Sequence, residues 1–523
     1  MAADLLPAYT PLMPSTRAAL FSIAAPLLLL PHAAAALGAD ANGYIARYEC
    51  RAGNPNCDID IRGLTGRACD QTITASMPWS AIDWSNDTIC MAPGDHTAKG
   101  LLTLKSNGSV SNRKVLRYAR TDDADDDPWH QGTSNRAILR GLVLDGVDYW
   151  IVHRLSINGG GTSSHVGINI LRDSVATNNI ISRVLVENFE ATMIVIGYQN
   201  GDNTIQNSVI RDVISSGNVA AENECVSIEG VAANNRIVNN EIYNCNKNIF
   251  MSSGFSPHPG LVIENNDLYT TTSRYSDCHG NYTPTGACSD TEGVAIYSKG
   301  GSTSSAFGRI IRNRAWGMRP GDCNLAQCGG GWAVSFSNPS DDSPLDGTDY
   351  WLVQNNIFWD MNLAFWNYYK GPDHNSIIGN LVYKMRGTQG PNSTDRGGVS
   401  YKYLSDSEIY LNTFVDVNPI ILSWGDGANN DFRCNVFIGG ESLVGGYGSN
   451  TDTDQNAFYG VNFTTTATPA TNVVYPNIAD AKMTDYCFSH KLRTGPERMC
   501  IPNARPTQNS PHLTGLSSLC GTF

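Results

Sequence analysis

A run of basic residues without any acidic residue is the first feature of this sequence that could do chemistry. Between Gly293 and Gly321 the basic side chains are Lys299, Arg309, Arg312, Arg314 and Arg319. The whole 523-residue chain has a formal net charge of -13, a balance opposite to that of a general nucleic-acid-binding protein. The local excess of positive charge predicts a basic face that would attract an anionic polymer. Further basic residues on later segments extend it: Lys370, Lys384, Arg386, Arg396 and Lys402.

The segment DTEGVAIYSKGG, residues 290–301, brings a lysine, a tyrosine and two carboxylates close together. In a polymer of uronic acids, the proton at C5 becomes acidic once Arg, Lys or a metal neutralises the adjacent carboxylate. A base whose pKa lies near the working pH can then remove this proton. Lysine can be that base where neighbouring charges or desolvation depress its pKa. A tyrosine can donate a proton to the leaving oxygen, so these residue types are compatible with β-elimination. The same machinery would also perform C5 epimerisation.

The elements that would hold these residues repeat along the chain. A short phrase recurs in which Asn precedes alternating apolar residues, for example VNNEIY at 238–243 and QNNIFW at 354–359. The shortest spacings between copies, 23 to 26 residues, suit one coil of a parallel β-helix, and longer spacings indicate coils with loop insertions. Asn in the turns tolerates a left-handed backbone and can stack on its equivalent in the next coil. The repeating positions are Asn207, Asn240, Asn266, Asn313, Asn356, Asn380, Asn412 and Asn435.

A second set of strands is predicted to present the candidate residues to solvent. Alternate side chains of a strand point to opposite faces. We expect the inward set to be Val226, Ile228, Val294, Ile296, Val334, Phe336, Val399 and Tyr401. The outward row is then Glu229, Ser252, Tyr297, Lys299, Ser337, Asn367, Tyr369 and Lys402.

Taken together, the repeats resemble the right-handed parallel β-helix proteins of the pectin-lyase-like superfamily over roughly residues 95–440. The segment 290–301 resembles a strand of the alginate lyase/chondroitinase B family, in which an acidic residue precedes a Lys on the substrate face and an Arg follows one coil later. This resemblance implies Lys299 as the base and Arg319, 20 residues later, as the group that neutralises the substrate carboxylate. Tyr297 or Tyr369 would lie near the leaving group. The substrate-binding set would be Tyr369, Lys370, Lys402, Asn367 and Arg314.

A calcium ion could assist this chemistry. The candidate ligands are Asp290 and Glu292, with Glu222 and Glu224 as further carboxylates, although separate turn carboxylates are the simpler interpretation.

Two other classes of function stay open. Hydrolysis by paired carboxylates would use Asp341 and Asp342, but the sequence does not show the full set of NTD, DD and GHG motifs that the polygalacturonase-like enzymes carry. A non-catalytic protein that binds glycan or builds extracellular matrix is the third alternative. Polysaccharide lyase is the favoured prediction, with an anionic polysaccharide as partner.

The predicted fold class is all-β, a right-handed parallel β-helix with disulfide-bearing N- and C-terminal caps. We expect a targeting segment at 1–41, an N-terminal cap at 42–95, the β-helix at 96–440 and a C-terminal extension at 441–523. An apolar stretch over 18–30, 14 Cys and five glycosylation sequons favour a secreted, disulfide-bonded glycoprotein. We expect a monomer that has no membrane segment after processing and binds no nucleic acid.

Overall fold

A computed structural model describes much of the chain from residue 59 onward. The described residues are 59–119, 127–161, 166–170, 174–190, 192–213, 224–252, 257–271, 292–318, 330–336, 348–367, 373–385, 397–401, 404–418, 421–423, 427–440, 443–444, 455–461, 473–475, 477, 483–489 and 498–506. They form one short α-helix, Arg62–Thr65, three single-turn 3-10 helices (Trp79–Ala81, Thr97–Lys99 and Thr133–Asn135) and 41 strands. No helix among them has the length and apolar character needed to cross a bilayer.

Three long sheets, each built from one strand per coil, dominate the architecture, and all pairing within them is parallel. Numbered along the chain, the strands of the first sheet are β1 (Gln71–Ile73), β2 (Thr88–Met91), β5 (Lys114–Tyr118), β8 (Trp150–His153), β11 (Ile180–Ser182), β14 (Thr204–Gln206), β17 (Arg236–Val238), β20 (Val262–Glu264), β23 (Gly308–Ile311), β26 (Trp351–Gln354), β29 (Ser376–Ile378), β32 (Glu408–Tyr410) and β35 (Asp431–Arg433).

The second sheet carries the candidate residues. Its strands are β4 (Leu102–Leu104), β7 (Leu142–Leu144), β10 (Ile168–Ile170), β13 (Ile194–Ile196), β16 (Glu224–Glu229), β19 (Lys247–Ser252), β22 (Glu292–Ser298), β25 (Gly330–Phe336), β28 (Leu363–Asn367), β31 (Gly397–Tyr401), β34 (Ile421–Ser423) and β37 (Leu443–Val444).

The third sheet completes each coil. Its strands are β3 (Gly94–Asp95), β6 (Ala137–Leu139), β9 (Ser156–Asn158), β12 (Leu185–Glu187), β15 (Val209–Arg211), β18 (Glu241–Tyr243), β21 (Asp267–Tyr269), β24 (Arg314–Trp316), β27 (Ile357–Trp359), β30 (Leu381–Tyr383), β33 (Thr413–Val415), β36 (Val436–Ile438), β38 (Ala457–Tyr459) and β39 (Val473–Tyr475). An antiparallel hairpin follows, formed by β40 (Met483–Ser489) and β41 (Arg498–Pro506).

The predicted parallel β-helix is therefore confirmed, and its strands extend beyond 96–440 at both ends. The first sheet begins at Gln71, inside the expected N-terminal cap, and β37 to β39 lie in the expected C-terminal extension. Two disulfides are present among the described residues: Cys69–Cys90 near the first coil and Cys225–Cys245 in the middle of the solenoid.

The interior is filled by apolar side chains of the strands, which stack on their register partners in the neighbouring coils. On the second sheet Ile249, Ile296, Val334 and Phe365 pair directly across successive strands and belong to the interior cluster. Because a parallel coil cannot bury its apolar face alone, each coil depends on the coils above and below it.

A continuous ladder of Asn side chains fixes the turn between the first and third sheets. Each ladder Asn is buried, and its Nδ2 donates to Oδ1 of the next at 2.9–3.1 Å. The stacking prediction holds from Asn240 onward. It is wrong for Asn207, because that residue has a positive φ of 51° and Ser208 takes the ladder position of its coil. In each turn the residue with the positive φ directly precedes the residue that stacks in the ladder. The ladder is Asn240, Asn266, Asn313, Asn356, Asn380, Asn412, Asn435 and Asn456.

A stack of aromatic rings covers the outward side of the third sheet. Ring centroids are separated by 4.6 Å between Tyr243 and Tyr269, 4.4 Å between Tyr269 and Trp316, and 4.7 Å between Trp316 and Trp359. The interplanar angles of 8° to 12° show rings stacked face to face along the solenoid axis. These contacts add to the coil-to-coil packing.

Candidate active site

The outward side of the second sheet carries a row of side chains that we call the outward column: Ser227, Phe250, Tyr297, Ser335 and Trp366. They pair in register across β16, β19, β22, β25 and β28. The residue before each of them belongs to the interior cluster, whereas the aromatic members form a separate cluster with Val294, Trp332 and Leu363. Since neighbouring residues of a strand point to opposite faces, the column faces away from the core.

Lys299 and Tyr297 meet on this face beside one shared aromatic ring. Lys299 directly follows β22 and is half-buried. Its Nζ lies 5.4 Å from the ring centroid of Phe250 and 5.5 Å from that of Tyr297. The Tyr297 ring stacks on Phe250 at 5.4 Å and meets Trp332 edge-on at 6.4 Å. An amine and a phenol are thus held on one wall of aromatic side chains.

Trp332 and Trp366 continue the wall on the next two strands. Their rings stack at 4.1 Å with an angle of 16° between the planes. The indole N–H of Trp332 and the hydroxyl of Ser335 are buried and have no hydrogen-bond partner among the described residues. Buried polar atoms normally have a hydrogen-bond partner, so these two groups could each donate a hydrogen bond to a bound molecule.

Sequence reasoning missed an ion pair that lies against this wall. Lys247 Nζ is 3.7 Å from Glu224 Oε1, and Thr192 Oγ1 donates to Glu224 Oε2 at 2.6 Å. The Lys247 ammonium lies 4.2 Å from the Phe250 centroid and 5.5 Å from the Tyr297 centroid. An alignment of ECVSIE at 224–229 with KNIFMS at 247–252 would have placed Glu224 and Lys247 in the same register.

The structure corrects two of the inward and outward assignments. Asn367 is buried, pairs in register with Phe336 of the interior cluster and donates from Nδ2 to its carbonyl at 3.4 Å. The outward prediction for Asn367 is wrong because Trp366 occupies the outward position of β28. Val294 was expected inside but belongs to the outward cluster. In β22 two successive residues, Ala295 and Ile296, both belong to the interior cluster, which breaks simple alternation.

Arg314 lies on the third sheet and not beside Lys299. Its Nε donates to Asp267 Oδ1 at 2.7 Å and its Nη2 to Asp267 Oδ2 at 2.8 Å, and both side chains are buried. The prediction that Arg314 shares the substrate face of Lys299 is wrong. It directly follows the ladder residue Asn313, and the strand after that turn belongs to the third sheet.

Several predicted residues fall outside the described part of the chain: Arg319, Tyr369, Lys370, Lys402 and Asp290. Glu292 begins β22, and its backbone pairs with Gly330. No three His, Cys, Asp or Glu side chains of the described residues come together in an arrangement that could hold a metal ion.

Comparison with known proteins finds no matching family model and no matching curated protein. Solved structures with a similar fold are found. One is a mannuronic acid specific polysaccharide family 6 lyase from human gut microbiota, with 11% identity over 79% of this chain and 93% of that one and a TM-score of 0.45. Another is pectate lyase Pel9A, with 14% identity, coverages of 63% and 84% and a TM-score of 0.38.

A third is the Streptococcus pneumoniae surface protein and adhesin PfbA, with 12% identity, coverages of 74% and 91% and a TM-score of 0.35. The likeness to these lyases and to an adhesin is one of fold, and a fold by itself does not determine activity. The chain is a parallel β-helix protein, as its three parallel sheets show.

Proposed function

We propose that this protein is a polysaccharide-active enzyme that cleaves a uronic-acid-containing polymer by β-elimination, with Lys299 as the base. The observation that carries the proposal is the meeting of the Lys299 amine and the Tyr297 ring on one outward face beside Phe250. A base and a proton donor on the same face are what elimination requires.

In the proposed reaction the neutral amine of Lys299 takes the proton from C5 of the uronate. The electron pair of that C–H bond forms the C4–C5 double bond, and the C4–O bond to the neighbouring sugar breaks. The leaving oxygen takes a proton from the hydroxyl of Tyr297, or of Tyr369 in the alternative assignment. Arg319 is proposed to neutralise the substrate carboxylate, which makes the C5 proton acidic enough for a lysine to remove.

Calcium remains part of the proposal through Asp290 and Glu292. A calcium ion held there would neutralise the same carboxylate as Arg319. The test is activity after dialysis against EDTA and after calcium is added back. Recovery that Asp290→Asn abolishes would support a calcium site, whereas full activity in EDTA would remove calcium from the reaction.

The central test is the absorbance of the unsaturated uronate formed from alginate, pectate, glucuronan and glycosaminoglycans. We expect the wild-type protein to produce this absorbance with at least one polymer and Lys299→Met to lower kcat by about 1,000-fold. The control is Lys105→Met, because Lys105 is exposed and directly follows β4, which lies six strands from β22 at one end of the second sheet. It should keep wild-type activity.

Other outcomes identify the rival classes. New reducing ends without absorbance would overturn elimination in favour of hydrolysis, for which Asp341 and Asp342 are the candidates. A change of uronate configuration without chain cleavage would indicate an epimerase. Binding without turnover of any of the four polymers would indicate a non-catalytic glycan-binding protein.

We propose further that the protein is secreted. Its two described disulfides suit an oxidising compartment. The sequon residue Asn107 is exposed, as a glycosylated Asn must be. Detection of the protein in the medium, with a mass shift after deglycosylation, would test secretion and modification together.

A further inference from the structure

The buried ion pair of Glu224 and Lys247 stands at the edge of the proposed site. Both side chains are almost fully buried, at 3% and 2% exposure. Glu224 is held by Thr192, and Lys247 lies against the rings of Phe250 and Tyr297. Lys299 Nζ lies against the same two rings, so the two lysines share one pair of aromatic neighbours.

The residues at the register position of Lys247 in later coils are uncharged, so the fold does not require a charged side chain at this position. Lys247 pairs in register with Val294, which pairs with Trp332, which pairs with Leu363. Three successive coils therefore fill this position with apolar side chains. A buried ion pair adds little net stability over apolar residues of similar size, because the desolvation penalty offsets the attraction. A contribution to the free energy of unfolding therefore does not explain why Glu224 and Lys247 form an ion pair at this position.

We propose that Glu224 and Lys247 are positioning residues for Lys299 and Tyr297. This inference rests on the proposed function. Thr192 and Glu224 anchor the Lys247 ammonium, and that ammonium fixes the ring plane of Phe250 through a cation–π contact. Phe250 in turn contacts both the Tyr297 ring and the Lys299 amine. The pair acts through Phe250 and Tyr297 and makes no contact with substrate.

The test replaces the pair by the side chains that later coils use at the same register, Glu224→Val together with Lys247→Leu. Because both charges leave at once, no unpaired buried charge remains, and we expect the urea unfolding midpoint to stay within error of the wild type or to rise. We expect kcat on the active uronate polymer to fall about 100-fold and KM to change less than threefold, as for a misplaced catalytic group. Lys105→Met is again the control that keeps activity.

A second readout does not depend on turnover. The rate at which a succinimidyl ester acylates the half-buried Lys299 amine is measured by mass spectrometry, with Lys384 as the internal reference. In the double variant we expect the rate at Lys299 to change more than threefold and the rate at Lys384 to remain constant.

The outcomes separate this inference from the proposed function. If the wild type is active and the folded double variant keeps kcat within threefold, the positioning role is wrong and the proposed function stands. If the wild type turns over no uronate polymer, the proposed function fails, and the labelling rate alone decides whether the pair positions Lys299. An unchanged labelling rate would overturn the inference in either case.

Discussion

Asn356 offers a direct test of the ladder that holds the coils of the candidate site in register. Its Oδ1 accepts hydrogen bonds from the backbone N–H of Asn313 at 2.8 Å and from Asn313 Nδ2 at 3.1 Å. Its Nδ2 donates to the Ile310 carbonyl at 2.8 Å and to Asn380 Oδ1 at 2.9 Å. Asn313 belongs to the coil that begins with Tyr297 and Lys299, so a break here loosens the coil that carries the proposed base.

The substitution Asn356→Ala removes all four of these bonds. The backbone N–H of Asn313 and the carbonyl of Ile310 are the backbone groups that lose this contact. At about 1–3 kcal/mol for each buried group left without its partner, we expect a loss of about 4 kcal/mol in the free energy of unfolding. Asn356→Ser should cost less, because Ser208 occupies the equivalent position and its Oγ accepts the Val184 N–H at 3.2 Å.

The measurement is urea unfolding followed by circular dichroism and tryptophan fluorescence. The control is Asn135→Ala, since the Asn135 side chain is exposed and such a change should stay within about 0.5 kcal/mol. The expected order of destabilisation is Asn356→Ala, then Asn356→Ser, then Asn135→Ala. If Asn356→Ala cost no more than the control, the view of the ladder as a main coil-to-coil restraint would be refuted.

Two further predictions concern the same part of the solenoid. Burial lowers the pKa of His258 to about 4, so the folded state keeps it neutral while the unfolded chain binds a proton below its usual pKa of about 6.5. Its contribution to stability is complete above pH 6.5 and is lost as the pH falls towards 4. Between pH 7 and pH 5 we expect the free energy of unfolding to fall by about 2 kcal/mol because of His258, and His258→Leu should remove this part of the pH dependence. The measurement is the urea unfolding midpoint of both proteins at both pH values. An equal pH dependence in the wild type and the variant would contradict the prediction. The Cys225–Cys245 disulfide spans 20 residues, so the double Ala variant should lose about 3 kcal/mol, and a loss below about 1 kcal/mol would contradict that reasoning.

The fold was largely predictable, because every coil of a solenoid repeats the same short pattern of turn and strand residues. Phrases such as VNNEIY and QNNIFW encode both the left-handed turn and the apolar strand that follows, and each coil repeats them. Ile296 and Val334 stack in the interior as their alternation predicts. The prediction of the stacking residue was wrong by one position at Asn207. Asn207 and Ser208 are both polar and adjacent, and the sequence alone does not show which of them stacks on Asn240.

The site was less predictable, because it depends on which sheet and which face each residue joins. Asn367 differs from its outward neighbour Trp366 by one position, and that one position reverses its face. Arg314 lies only 15 residues after Lys299 but follows the Asn turn, which places it on another sheet with Asp267 as its partner.

By itself the sequence determined the repeat, the all-β class and the segment that carries Tyr297 and Lys299, because periodicity is a local property of the chain. The tertiary structure decided that Glu224 and Lys247 form a buried pair against Phe250 beside that strand. The physical reason is that coils of unequal length bring residues 23 and 47 positions apart into adjacent strands, and only the register of the sheet shows which side chains then touch.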